Sequence, residues 1–293
     1  MSNIVEISGL NKNYGNFELR DIHFSLPEDC ITGFIGINGA GKTTTIRTML
    51  GLAHQDSGQI KIFGKDIKKH GRELKNRIGI VLDEGCFYDE LTMAEMKSII
   101  APAYSRWNEK DYKNNMDRFS LHSNQQISTL SKGMRMKFAL TLALSHQADL
   151  LIMDEPTSGL DPLIRIEMLE ILLDYMKQGG KGVFFSTHIT SDLDKVADML
   201  ILINQGEILF EEDKDVLMDS HRVVKGKGHH LNDENRELFL TIQETHFGFT
   251  GITNQLAQVQ ASLREDIIIE RPTIEDIMLA YVRGGKHHVI ASS

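Results

Sequence analysis

Apolar and polar residues alternate from Ile4 to Ile7, the period of a half-buried strand, and Phe17–Leu26 reads as a second strand. Ile31-Thr-Gly-Phe-Ile35 is a short apolar run leading into glycines, which predicts a buried strand. A helix is expected from about Lys42, because Ile46, Met49 and Leu50 fall at i, i+3 and i+4 and Gly51 suits the C′ position. Thr92-Met-Ala-Glu95 has the form of a capping box. From there to residue 146 helix-formers dominate, with Met and Leu at helical spacing that reads as core packing. Apolar strands return at Leu150–Met153 and Gly182–Ser186 with a helix near Ile164–Met176 between them, an order that predicts a parallel sheet with right-handed crossovers. Met199–Ile203 and Glu207–Phe210 flank Asn204-Gln-Gly206 and read as a hairpin. Beyond about residue 215 the pattern weakens. His221–His230 is polar and basic and reads as a linker or surface loop. Thr273-Ile-Glu-Asp276 opens a last helix with Ile274, Ile277, Met278 and Tyr281 on one face, and the tail after Gly284 reads as frayed. No internal repeat is visible.

Composition narrows the class. The 293 residues suffice for one large α/β unit or two smaller ones, and a net charge of -9 argues against a broad nucleic-acid footprint, so no nucleic-acid partner is expected. Two cysteines, Cys30 and Cys86, give no disulfide framework and fit a reducing cytosol. No apolar run reaches the roughly 18 residues of a membrane-spanning helix, and the opening residues do not form a secretory signal. Any work at a membrane is therefore expected to go through a partner.

Two motifs carry chemistry. Gly36-Ile-Asn38-Gly39-Ala40-Gly41-Lys42-Thr43, with Thr44 next, matches G-x-x-x-x-G-K-[ST], with a strand running in and a helix running out. Its glycines let backbone N–H groups face phosphate oxygens, and the helix N-terminus adds partial positive charge. Lys42 is expected to reach the β- and γ-phosphates, and Thr43 to offer its hydroxyl to Mg²⁺. Leu150-Leu-Ile-Met-Asp154-Glu155 is an apolar strand ending in two acids, the place where an α/β sheet puts ligand chemistry. Asp154 suits Mg²⁺, directly or through water, and Glu155 suits the polarisation of an attacking water.

The residues between and after these motifs resemble one family. Leu130-Ser131-Lys132-Gly133-Met134 is similar to the Leu-Ser-Gly-Gly-Gln signature of ATP-binding-cassette proteins and lies about twenty residues before Asp154. Ser158-Gly-Leu-Asp161 resembles the family's D-loop, Ser186-Thr-His188 its switch histidine, and Tyr14 its adenine-stacking aromatic. The resemblance runs from residue 1 to about 215. It implies an α/β fold: a phosphate-loop NTPase core of mainly parallel sheet with flanking helices, an antiparallel β part, a helical signature subdomain at about 84–147 and a small C-terminal extension at 216–293. It also implies ATP and Mg²⁺ as ligands, and a head-to-tail pair of nucleotide-binding chains. In that pair Ser131 and the Gly133 N–H meet the γ-phosphate held by the opposite chain, His188 contacts the γ-phosphate, and Asp161 couples the two sites. Read from its neighbours alone, Asp161 is equally a helix N-cap before Pro162.

Two positions depart from the family pattern. Asp83, with Glu84 beside it, stands where the family usually has Gln; a carboxylate there binds Mg²⁺ or is merely solvated. The signature carries Lys132 and Met134 in place of Gly and Gln, while Ser131 and Gly133 are retained. The segments Asp83–Thr92, Leu130–Met134 and Arg271-Pro-Thr-Ile-Glu-Asp-Ile277 most resemble the ATPase subunits of ABC-2-type exporters of Gram-positive bacteria. The resemblance then implies a transmembrane permease partner, a homo- or heterodimer of ATPase chains, a place on the cytoplasmic face of the cell membrane, and export of a peptide, antibiotic or lipid. Two other functions stay open: a non-transport cassette protein acting on ribosomes or nucleic acid, and a nucleotide-gated module of low turnover. His229, His230, His287 and His288 lack acidic or cysteine neighbours at ligand spacing and read as surface residues.

Overall fold

The structure, a computed structural model, describes residues 2–82, 87–263, 267–284 and 290–291. The chain divides after Glu211 into two compact units. In chain order the first contains β1 (Asn3–Asn13), β2 (Glu18–Pro27), β3 (Cys30–Ile35), α1 (Lys42–Met49), β4 (Ser57–Ile62), β5 (Lys65–Asp66), α2 (Ile67–Lys75) and β6 (Ile78–Leu82). Then come α3 (Met93–Ile100), α4 (Glu109–Arg118), α5 (Lys132–Ser145), β7 (Leu150–Asp154), α6 (Pro162–Met176), β8 (Gly182–Thr187), α7 (Thr190–Val196), β9 (Met199–Asn204) and β10 (Glu207–Asp213).

One sheet has the order β10-β9-β3-β8-β7-β6, and its pairs β9/β3, β3/β8, β8/β7 and β7/β6 are parallel. Both faces are covered, which is why β7 and β8 are buried along their whole length and read as unbroken apolar runs rather than as an alternation. The second sheet, β2-β1-β4-β5, is antiparallel. Apolar residues of the two sheets share one core, where the rings of Phe24, Phe34 and Phe184 lie 5.0 to 5.8 Å apart, centroid to centroid. The β9–β10 turn places Gln205 and Gly206 at φ 49° and 80°, the mirror-image geometry that a two-residue hairpin favours.

The stretch from 92 to 146 holds the helices α3, α4 and α5, joined by turns and short 3₁₀ segments. Thr92 forms the expected box: its hydroxyl accepts the Glu95 N–H at 3.2 Å, and the Glu95 carboxylate accepts the Thr92 N–H at 2.8 Å. Met93, Met96, Met116 and Met136 are buried core residues, so the methionine spacing reports packing.

The second unit contains α8 (Lys214–Ser220), β11 (Arg222–Gly226), α9 (Asp233–Arg236), β12 (Thr241–Thr245), β13 (Gly248–Thr253), α10 (Leu256–Leu263), β14 (Ile268–Glu270), α11 (Ile274–Gly284) and β15 (Ile290–Ala291). Its sheet runs β14-β11-β13-β12-β15 over a small core that includes Val224, Phe239, Phe249 and Val259. This corrects the reading of His221–His230 as a linker: β11 is an inner strand, Val223 and Val224 are buried, and His221 is buried within 3.1 Å of the Tyr281 hydroxyl. Two adjacent valines among basic residues are too short a run for periodicity to reveal; pairing with β13 and β14 fixes the strand. Thr273 caps α11 as expected, its hydroxyl accepting the Asp276 N–H at 3.1 Å. Of the four C-terminal histidines, His229 is exposed, His230 is partly buried, and His287 and His288 lie outside the described residues. Among the described residues no helix is long and apolar enough to cross a membrane.

Candidate nucleotide site

The loop between β3 and α1 is shaped by its glycines. Gly39 and Gly41 sit at φ 80° and 117°, where a side chain is strained. A Cβ on Gly36 would land against the Ile203 carbonyl oxygen, so the loop's close approach to β9 requires glycine there. The Gly206 N–H donates to the Ala40 carbonyl at 2.9 Å and ties the loop to the β9–β10 turn. Thr45 Oγ1 closes the first turn of α1 onto the Gly41 carbonyl at 2.9 Å. The result is a curved backbone ending at a helix N-terminus, which attracts phosphate.

The placement of the acids is set by the register of the parallel sheet. Asp154, the last residue of β7, is paired with Ser186 of β8 and is buried; the Ser186 hydroxyl donates to Asp154 Oδ1 at 2.6 Å. The next residue, Glu155, leaves the strand with φ 51°, a left-handed conformation that is uncommon outside glycine. Its N–H is shared between the Ser186 carbonyl and the Ser186 hydroxyl, each at 3.1 Å. This kink aims the Glu155 carboxylate at two groups. Oε1 lies 3.2 Å from Lys42 Nζ, and Oε2 lies 2.7 Å from His188 Nδ1 and accepts the His188 N–H at 3.3 Å. Lys42 is only 6% exposed and also donates to the Gly36 carbonyl at 2.7 Å, as a buried ammonium must find partners.

Lys42, Glu155 and His188 line one cleft of about 770 Å³ with Tyr14, Phe17, Asn38 and Thr43, whereas Asp154 is buried beside it and does not line it. Gly39, Gly41 and Thr44 line it too, whereas Gly36 and Ala40 support the loop from behind. Tyr14 is half exposed at the rim, with Lys12 Nζ 5.0 Å from its ring centroid. The arrangement offers phosphate-facing amides, an ammonium, a carboxylate and an imidazole around a space large enough for a nucleotide.

Ser131, Gly133 and Asp161 do not line this cleft. Ser131 is the N-cap of α5 and accepts the Met134 N–H at 3.2 Å. Gly133 packs so closely on α6 that a Cβ would sit 2.8 Å from Ile164 Cδ1. Asp161 caps α6 by accepting the Leu163 N–H at 2.9 Å, so its local role as a cap is realised. Asp83 lies outside the described residues. Sequence reasoning missed Asn16 and Phe17 in the cleft lining, and it noted Ser158 only as the start of the segment resembling the D-loop, with no place in the cleft. Phe17 lies with Tyr14 in a turn closed by the Tyr14 N–H on the Phe17 carbonyl at 2.8 Å, and its apolar character alone assigned it to β2. The contact of Ser186 with both acids depends on pairing across 31 and 32 positions, for which the sequence has no local signal.

Comparison with known proteins agrees with this geometry. The family model described as "ABC transporter" matches residues 19–158. The bacitracin transport ATP-binding protein BcrA of Bacillus licheniformis is 31% identical over 305 residues, covering 97% of this chain and 99% of that protein. The ABC transporter ATP-binding protein NatA of Bacillus subtilis (strain 168) is 31% identical over 211 residues, 70% of this chain and 85% of its own length. A solved ATP-binding subunit of an ABC transporter superposes with TM-score 0.68 at 27% identity, over 74% of this chain and 92% of that one. The fold is shared with cbiO1 of Clostridium perfringens, at TM-score 0.63 and 24% identity over 74% of this chain and 91% of that one. With a phosphate cradle, an acidic strand end and a histidine converging on one cleft, and with relatives matched along most of its length, this chain belongs to the ABC transporter family as an ATP-binding subunit and ATPase.

Proposed function

We propose that this chain powers export through a separate membrane-spanning permease, working on the cytoplasmic face as half of a head-to-tail pair of nucleotide-binding chains. The observation that carries the proposal is the array Lys42–Glu155–His188 at the mouth of the phosphate loop, with separations of 3.2 and 2.7 Å. Because the bacitracin-transport relative aligns over 97% of the chain, second unit included, a bacitracin-like cargo is the one we favour.

In this reading ATP enters with its base against Tyr14 and its phosphates on the loop amides. Lys42 exchanges the Glu155 carboxylate for the β- and γ-phosphates. Glu155, released from Lys42, orients the attacking water and accepts its proton, and His188 holds the γ-phosphate in line. Thr43 and Asp154 supply the hydroxyl and carboxylate oxygens that Mg²⁺ prefers, and the fit is physical: Asp154 is buried, and its Oδ1 is held by a neutral hydroxyl rather than by a cation. When bound, Mg²⁺ neutralises charge that builds up on the transferring phosphoryl group. Ser131 and the Gly133 N–H, outside this chain's own cleft, close the site of the opposite chain.

Two variants test the mechanism. Lys42→Ala is expected to lose nucleotide binding. Glu155→Gln is expected to lower turnover by about 10²-fold or more and to trap an ATP-bound dimer visible by size-exclusion chromatography. An undiminished rate in Glu155→Gln refutes the base assignment. The transport assignment is tested by gentle solubilisation of native membranes with this chain tagged: a stoichiometric multi-spanning protein is expected, and recovery of ribosomal proteins instead refutes it.

A further inference from the structure

We propose that Ser186 is a positioning residue for hydrolysis, one hydroxyl that sets the two acids of the site at once. The inference rests on the reading of Asp154 as a magnesium ligand and Glu155 as the group that orients water. Ser186 Oγ donates to Asp154 Oδ1 at 2.6 Å and accepts the Glu155 N–H at 3.1 Å, and the residue is fully buried. A hydroxyl can serve both bonds because it is one donor and two acceptors. The direction of its proton is therefore fixed: it points at Asp154, leaving a lone pair for Glu155.

Each bond has its own consequence. A buried carboxylate is an acceptor only, and with the hydroxyl as its donor Asp154 Oδ1 cannot turn freely about the end of β7. The second oxygen takes no part in that bond and would be the one offered to a cation. The Glu155 N–H is held by two acceptors on a single residue, the hydroxyl and the carbonyl of Ser186. That pairing supports the left-handed kink at φ 51°, which turns the carboxylate out of strand direction toward Lys42 and His188. Strands β7 and β8 are in register at Asp154 and Ser186, so the side chains meet from paired strands and need no loop to bring them together.

The test is Ser186→Ala beside Ser186→Thr, with Glu155→Gln as control. Alanine leaves the carbonyl acceptor for the Glu155 N–H but strips the donor from Asp154. The expected result is a fall in kcat of about 10- to 100-fold, the usual effect of removing a group that orients a metal ligand. KM for ATP should stay within about threefold, because the phosphate loop is untouched. Mn²⁺ binding in the presence of a non-hydrolysable ATP analogue, read by electron paramagnetic resonance, should weaken by about tenfold in Ser186→Ala. Ser186→Thr, which keeps the hydroxyl, should restore both readouts, and fluorescence of Trp107 during unfolding shows that each variant is folded. The proposal is overturned if Ser186→Ala turns over within about twofold of wild type, or if its kcat falls while Mn²⁺ affinity stays put. Should Glu155→Gln retain turnover, the underlying assignment of the base fails instead, whatever Ser186→Ala does.

Discussion

His146 offers a quantitative test of how the first unit is packed. It stands just past the end of α5, is 1% exposed, and stacks flat on Tyr104 with ring centroids 3.9 Å apart and planes 11° from parallel. Among the described residues no hydrogen-bond partner reaches its buried Nδ1. Burial, with a smaller push from Arg106, lowers its pKa from 6.5 to about 4. The folded protein therefore binds this proton less readily than the unfolded chain. The contribution is intact above pH 6.5 and is lost as pH falls toward 4. At about 1.4 kcal/mol per unit, the full cost is about 3 kcal/mol, of which about 2 kcal/mol falls between pH 7 and pH 5. Asp149 titrates in a separate window. Burial raises its carboxyl, but Arg106, Arg77 and Lys181 overcome this and hold it at about 2, so its contribution is lost only below its ordinary value of 3.8. Urea unfolding of the full chain at pH 7 and pH 5, tracked by the fluorescence of Trp107, the protein's one tryptophan, measures the loss in this unit. His146→Phe keeps an aromatic ring on Tyr104 and removes the proton. It should flatten the pH dependence by about 2 kcal/mol. An equal pH dependence in wild type and variant would refute the reasoning.

Three particular contacts yield further expected outcomes. Gly36→Ala places a Cβ against the Ile203 carbonyl; backbone cannot step aside as a side chain can, so a loss of about 1–3 kcal/mol in urea unfolding and loss of binding to a fluorescent ATP analogue are expected. Arg165→Met removes the cation 2.6 Å from Asp192, itself 1% exposed; because Arg165 is partly solvated, a loss of about 2–3 kcal/mol is expected, and Arg165→Met combined with Asp192→Leu should recover part of it. Thr92→Ala breaks the box at the start of α3 and should cost about 1 kcal/mol, read from the same Trp107 transition.

How much of the fold and site is legible in the sequence tracks how local each signal is. The phosphate cradle is a contiguous run, and so is the acidic end of β7, so both are readable. The capping boxes at Thr92 and Thr273 are readable for the same reason, each closing over three residues. β7 and β8 are visible because strands buried on both faces are apolar throughout. The second unit is mostly hidden. β11 has only half-buried residues on either side of Val223 and Val224, and its paired residues in β13 and β14 lie 23 to 47 positions away, so pairing decides the strand and propensity does not. β4, Ser57–Ile62, escapes sequence reading likewise: it is fixed by β1, whose register runs from Val5↔Ile62 to Asn11↔Ser57. In the site, the same rule separates Lys42 and Glu155, found from motifs, from Ser186, whose partners come from another strand.

The clustering of this chemistry is a consequence of parallel pairing rather than of any single motif. β3, β8 and β7 lie side by side in that order, and all three point the same way. Their C-terminal ends therefore form one edge, and the residues just past each strand are delivered there: the phosphate loop after Ile35, His188 after Thr187, and Glu155 after Asp154. Register makes the delivery accurate, since Ile35 pairs with Thr187 and Asp154 with Ser186. Glu155 then bonds to both neighbours, joining three chain segments through one carboxylate. The two helices beyond that edge are joined as well, because Arg165 of α6 is clasped to Asp192 of α7, four residues after His188. In the proposed mechanism, withdrawing Lys42 from Glu155 to a phosphate would disturb a carboxylate whose other partner, His188, stands two residues before the helix clasped to α6. At the other end of that contact, α6 supports Gly133 of the signature through Ile164. On the proposed reading, the cleft and the signature face that would meet the opposite chain lie at the two ends of one series, in which Glu155 bonds to His188, Asp192 follows His188 by four residues and bonds to Arg165, and Ile164 beside Arg165 packs on Gly133.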